Sequence, residues 1–276
     1  MNPGSTEKSS RTWRQLIIFF AFAYSIAWIF FGALGLSRAG IGWLPYELSI
    51  PAMTAAGSFA PSLAALLTLR ITEHRWPVAG RFNIKAALAS AILSPALVMT
   101  VFAVVPAVMM TTGPWAALRW GNLLSTSVYG ISTLIGGPLG EEPGWRGFAL
   151  PRLQALLGPA RASFLLGLLW AAWHLPLFLT KAWSSSNFPI YVLIVTGLSF
   201  LMTFLFNLSG RSVVKAVATH AFFNTDSRWL SGLLADADVR SQPSPELIIG
   251  LSGWVMAFLL LVLTRGRLKF QDHPLE

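Results

Sequence analysis

Long uncharged runs alternate with short clusters of charge along the chain. The uncharged windows are 15–37, 48–69, 86–118, 120–140, 162–180, 182–210 and 247–264. Each is long enough for the roughly 20 apolar residues that a bilayer core demands, so seven membrane spans are predicted directly. The stretch from Arg211 to about Ala235 is interrupted by Lys215, His220, Asp226 and Arg228 and scores poorly on hydropathy. Counting it as a polar, interior seventh helix gives eight spans and puts both chain ends on one side. Lys8, Arg11, Arg14, Arg70, Arg75, Arg81, Lys85, Arg146, Arg152, Arg161, Arg211, Lys215, Arg265, Arg267 and Lys269 then share that side, and only Arg38, Arg119, Lys181, Arg228 and Arg240 face the other. Such a bias marks the cytosol.

The expectation is therefore an all-α, polytopic membrane protein of eight transmembrane helices around a polar intramembrane cavity. Residues 1–10 and 271–276 read as polar tails, and 11–270 as a single membrane domain with both termini cytosolic in a bacterial cytoplasmic membrane. The runs are too apolar for the alternation of a membrane barrel.

Composition supports this class. Only 11% of residues are charged and 54% are hydrophobic, whereas a soluble domain carries about a quarter charged. The net charge of +9 is dispersed in short turns, as the inside bias requires, and does not form the basic face of a nucleic-acid binder. Lys8, Arg11 and Arg14 precede an apolar run too long for a signal peptide, so it reads as a retained first helix. The chain has no cysteine, which excludes thiolate nucleophiles and cysteine metal sites. No internal repeat is evident, in contrast to carriers built from repeated halves. Pro61, Pro95, Pro106, Pro138, Pro143 and Pro176 fall inside the windows, where a missing donor kinks a helix and opens interior space.

Against this background the stretch GEEPGWRGF at 140–148 is out of place, because ionisable groups at membrane depth are costly and usually mark function. Three clusters qualify: Glu141, Glu142 and Arg146; His174; and His220 with Asn224. At 1.5 Å of rise per residue, Glu141 lies roughly 16 Å in from Arg152, His174 about 20 Å beyond Arg161, and His220 about 13 Å beyond Arg211. Three helices thus place an acid and two imidazoles at a similar level in the cytosolic half of the bilayer. Glu142 and Arg146 are four apart and can pair along one face, as can His220 and Asn224, while Glu141 points about 100° away towards the cavity. Trp170 stands one turn before His174 and can shield the imidazole. Trp145 and Trp173 read as packing residues. Singly, His174 reads as an interhelical contact and Glu142 with Arg146 as an ion pair; together the groups read as a site.

These residues form ordered motifs. EEPGWR fits Glu-Glu-x-x-x-Arg, WAAWH fits aromatic-x-x-x-His and HAFFN fits His-x-x-x-Asn. The set resembles the CPBP family of intramembrane proteases, which contains the CAAX-processing type II prenyl endopeptidases and the bacterial Abi proteins. The resemblance covers about residues 120–225, and it departs at Trp170, where the family most often has phenylalanine.

It implies that Glu141 and His174 activate water, that His220 and Asn224 stabilise the oxyanion, and that Glu142 and Arg146 support the site. A positioned carboxylate can take a proton from water, and donors aimed at developing negative charge contribute about 3–4 kcal/mol each. The expected partners are the lipid bilayer and a membrane-associated or lipidated peptide substrate, with no nucleic acid. No cofactor and no metal are expected: two histidines and a glutamate could hold zinc, but H-E-x-x-H is missing and Asn224 is a poor zinc ligand. The competing readings are a non-catalytic scaffold or bacteriocin-immunity protein of the same fold, and a proton-coupled carrier.

Overall fold

Proline opens most of the helices. In a computed structural model of the chain, which describes residues 3–74, 134–180, 187–234 and 245–271, the elements are α1 (Pro3–Leu36), α2 (Ile50–Ser58), α3 (Ala60–Glu73), α4 (Pro138–Gly144), a π-helical turn (Trp145–Ala149), α5 (Leu150–Leu157), α6 (Pro159–Trp173), a 3-10 turn (Leu175–Leu179), α7 (Phe188–Leu208), α8 (Val213–Leu234) and α9 (Pro245–Leu263). Pro51, Pro61, Pro138, Pro151, Pro159 and Pro189 sit at the first or second helical position. There the missing N–H would have had no intrahelical partner, and the fixed φ suits the helix. The expected prolines at 61, 138 and 176 therefore start elements, and Pro143 alone of the described ones lies inside a helix. Pro95 and Pro106, with the predicted span 86–118 and most of 120–140, lie outside the described residues.

Every described element is helical. Among the described residues, four helical segments are long and apolar enough to cross a membrane: Thr6–Leu36, Ile50–Glu73, Phe188–Leu208 and Glu246–Leu263. Three sequence expectations change. Residues 3–10 are helical, because α1 begins at Pro3, so little of the predicted N-terminal tail is irregular. The predicted span 48–69 is two helices that meet at Phe59. The predicted helix 162–180 ends at Trp173 and continues as a single 3-10 turn, because Pro176 cannot donate to a fourth residue back.

α1 runs along α2 and α3, α3 packs on α4, and α7 lies between α6 and α9. In lipid these contacts depend on close packing and interhelical hydrogen bonds, since the solvent is itself apolar. The centre is aromatic: Phe19, Trp145 and Trp173 meet edge to face at 5.5 and 5.7 Å, and Phe31 sits 4.9 Å from Trp173. Trp145 and Trp173 are therefore packing residues, as expected. Tyr24 Oη donates to the Leu169 carbonyl (2.6 Å), Trp28 Nε1 to the Trp173 carbonyl (3.0 Å) and Trp173 Nε1 to the Ala23 carbonyl (3.0 Å), joining α1 to α6.

Arg152, read from sequence as a turn residue, is buried. Its Nε donates to Gln15 Oε1 (3.0 Å), Gln15 Nε2 donates to Glu73 Oε1 (2.8 Å), and its Nη2 lies 3.8 Å from the same Glu73 oxygen. This network holds α5 to α1 and α3.

The seam between α3 and α4 is the closest. Ser62 Oγ donates to the Gly140 carbonyl (2.5 Å) and Ser58 Oγ to that of Gly136 (2.7 Å). A Cβ at Gly144 would collide with the backbone and ring of Pro61. At Gly147 it would meet only the end of Val213, Cγ2 at 3.2 Å, at close range. Gly144→Ala is expected to cost about 1–3 kcal/mol by overpacking, read as a lower melting temperature in detergent, with a smaller loss in Gly147→Ala.

Candidate active site

Glu141 closes the first turn of α4 and Glu142 follows it, immediately before Pro143. The helix then widens. The N–H of Trp145 faces the carbonyls of both Glu141 and Glu142, and the N–H of Leu150 bonds back five residues to Trp145. Such π-turns recur at functional positions, because the widened ladder re-aims side chains. Here the turn carries Arg146 beneath Glu142. The motif therefore lies in a helical run from Pro138 to Leu157, which passes Arg152 as the sequence reading expected and starts at Pro138.

His174 caps the C-terminal end of α6, and His220 lies two turns into α8. α8 packs directly on α4. Glu142 and Arg146 have no solvent exposure, and Glu141, His174 and His220 have at most 5%.

These side chains form one connected cluster. Arg146 Nη1 donates to Glu142 Oε1 at 3.0 Å, the predicted i, i+4 pair. His220 Nδ1 lies 2.8 Å from that same oxygen. The Arg146 guanidinium also stacks 4.3 Å over the Trp170 ring. Trp170 Nε1 donates to Glu141 Oε2 at 2.8 Å, and its ring meets His220 edge-on at 5.0 Å. Beneath it, the Trp170 carbonyl is 2.9 Å from His174 Nδ1.

The sequence reading assigned Trp170 to shielding and left Glu141 unpaired. In the structure the indole is a donor to Glu141 and the hinge between that carboxylate and both imidazoles. Its position one turn before His174 was the available signal; the donor role had none, because it depends on which ring edge faces another helix.

Donor and acceptor chemistry narrows the histidine states. A carbonyl only accepts, so His174 Nδ1 carries the proton and Nε2 is the lone-pair nitrogen of the neutral ring. His220 Nδ1 faces a carboxylate that also receives Arg146, so it donates, and its Nε2 is a lone pair, or a second donor once the ring is protonated. Asn224 lies one turn beyond His220 on α8 and is half-buried.

Glu142 Oε2, Trp145 Nε1, Arg146 Nε and Arg146 Nη2 are buried with no hydrogen-bond partner among the described residues. The donor atoms of Glu141, Glu142 and His220 lie within 4.8 Å of one another and so could hold a cation. A cation there would share Glu142 with the guanidinium already bonded to it.

Comparison with known proteins agrees with this geometry. Residues 123–225 match the family described as type II CAAX prenyl endopeptidase Rce1-like. A curated relative, CAAX prenyl protease 2 of Methanococcus maripaludis, is 28% identical over 102 residues, covering 33% of this chain and 36% of the relative. The match thus spans about a third of that protein's length. The site residues Glu141, Glu142, Arg146, His174, His220 and Asn224 all fall inside the matched segment. Residues 123–225 are therefore similar to the Rce1-like family, and the three motifs of the chain lie within that match.

Proposed function

We propose that the chain is an intramembrane endopeptidase that hydrolyses a peptide bond in a membrane-associated substrate, with Glu141 activating the attacking water. The observation that carries this reading is the enclosure of two carboxylates, two imidazoles and a guanidinium in one cluster inside an otherwise apolar helical bundle.

The reaction runs as follows. Water bound at the Glu141 carboxylate gives it a proton as its oxygen bonds to the scissile carbonyl carbon, and the carbonyl oxygen becomes an oxyanion. His174, held through Nδ1 by the Trp170 carbonyl, orients that water through the lone pair of Nε2. His220, held through Nδ1 by Glu142, presents Nε2–H to the oxyanion when its ring is protonated, and Asn224 supplies a neutral amide donor one turn away. Collapse of the tetrahedral species breaks the C–N bond, and Glu141 returns its proton to the leaving amine.

Glu142 and Arg146 act behind this line. Glu142 fixes the His220 tautomer, and Arg146 balances the second carboxylate and fixes Trp170 by stacking. The mechanism is read as metal-free, because the chain lacks H-E-x-x-H and Asn224 is a poor zinc ligand. A CAAX-type prenylated peptide is the proposed substrate class, following the printed name of the archaeal relative. Entry from the cytosolic leaflet, with both termini in the cytosol, follows from the charge bias of the turns.

Purified full-length protein assayed on a quenched fluorogenic prenylated CAAX peptide tests the assignment. Glu141→Gln is expected to lower kcat by at least about 10³-fold with an unchanged melting temperature; wild-type turnover in that variant would rule out the reading. Trp170→Phe keeps an aromatic ring, smaller than the indole, and deletes the N–H. A hydrogen bond to a charged group contributes about 1.5–3 kcal/mol, so kcat should fall by about 10–100-fold while KM stays within twofold.

A further inference from the structure

Two tyrosines of the described bundle pack against α6 or the turn that follows it, and they differ in what their hydroxyls do. Tyr24, on α1, donates to the Leu169 carbonyl at 2.6 Å. Tyr191, in the first turn of α7, has no hydrogen-bond partner for its hydroxyl among the described residues, and it is half-buried. A tyrosine at an apolar interface normally places its O–H on a partner, so an unengaged hydroxyl indicates a donor held in reserve.

Its surroundings define what it is held for. The Tyr191 ring meets His174 edge to face at 5.4 Å and Phe178 at 5.1 Å. His174 in turn shares Trp170 with Glu141, through the Trp170 carbonyl at 2.9 Å and the Trp170 indole N–H to Glu141 Oε2 at 2.8 Å. Phe31 and Trp173 cover the other faces of His174, at 6.4 and 4.7 Å. Among the rings packed on His174, Tyr191 thus brings a phenol to the imidazole that Trp170 joins to the reacting carboxylate.

During hydrolysis the negative charge leaves Glu141 as it takes the water proton and reappears on the substrate oxygen. A neutral donor beside His174, with no hydrogen-bond partner among the described residues, has the freedom to follow that charge.

We propose that Tyr191 is a further catalytic residue, whose hydroxyl donates a hydrogen bond to the scissile carbonyl oxygen as it becomes the oxyanion. This rests on the endopeptidase reading and adds a donor from α7 to those that His220 and Asn224 supply from α8. Such a donor contributes in the transition state and little in the bound substrate, so its loss appears in kcat.

The test uses full-length protein and the same prenylated fluorogenic CAAX peptide. Tyr191→Phe keeps the ring contacts with His174 and Phe178; kcat is expected to fall about 10²-fold, with KM within twofold and the melting temperature unchanged. Replacing Tyr191 with 3-fluorotyrosine, which keeps the donor, is expected to restore kcat to within a few-fold of wild type. Tyr24→Phe serves as the contrast and should lower the melting temperature while kcat is retained. Wild-type kcat in Tyr191→Phe overturns the proposal, as does a loss that 3-fluorotyrosine does not restore. Unimpaired cleavage by Glu141→Gln removes the endopeptidase reading itself, whereas an inactive Glu141→Gln beside a fully active Tyr191→Phe removes only the role of Tyr191.

Discussion

A guanidinium with no solvent exposure, inside an apolar helical bundle, must be neutralised where it stands. Arg146 meets this demand with Glu142 at 3.0 Å and the face of Trp170 at 4.3 Å. Both contacts then do more than balance charge. Glu142, anchored by Arg146, holds Nδ1 of His220 from another helix. Trp170, pressed under the guanidinium, aims its N–H at Glu141. Removing the cation would leave a buried carboxylate uncompensated, which is more costly than never having buried the pair. The arrangement of the acid, the two imidazoles and the indole therefore depends on one ion pair that need not touch a substrate.

The backbone supplies the positions for this pair. Gly140 and Gly144 let α4 approach α3 closely, the serines of α2 and α3 take up carbonyls at its start, and the π-turn then sets the register of Arg146. On the other side, Pro176 ends regular helix just beyond His174. His174 thus sits at a helix terminus, and its Nδ1–H satisfies the Trp170 carbonyl, one of the four that every helix end leaves open. Capping and orientation of the imidazole are one interaction.

Local features of this site were legible in the sequence. The pairing of Glu142 with Arg146 follows from a spacing of four on one helix, and all-helical architecture follows from apolar runs of span length. Convergence of Glu141, His174 and His220 could be inferred from comparable distances to flanking cations. The partners themselves could not: that Glu142 rather than Glu141 meets His220, and that Trp170 meets Glu141, depends on rotations between helices 29 and 78 residues apart in the chain. Prolines were ambiguous for a similar reason, since one that kinks a continuous helix and one that opens a new helix look alike within an apolar run. Arg152 was misread because a cation near a predicted turn is usually solvated; here Gln15 and Glu73, from distant segments, enclose it.

The hydrogen bonds that Tyr24, Trp28 and Trp173 form between α1 and the last turns of α6 have a bearing on traffic. A bulky lipid-bearing chain arriving sideways from the bilayer needs two neighbouring helices to part. Along this boundary parting would strip three donors of their acceptors in a medium with no water to replace them. Among the described residues, the α1–α6 boundary is thus a closed wall to sideways entry.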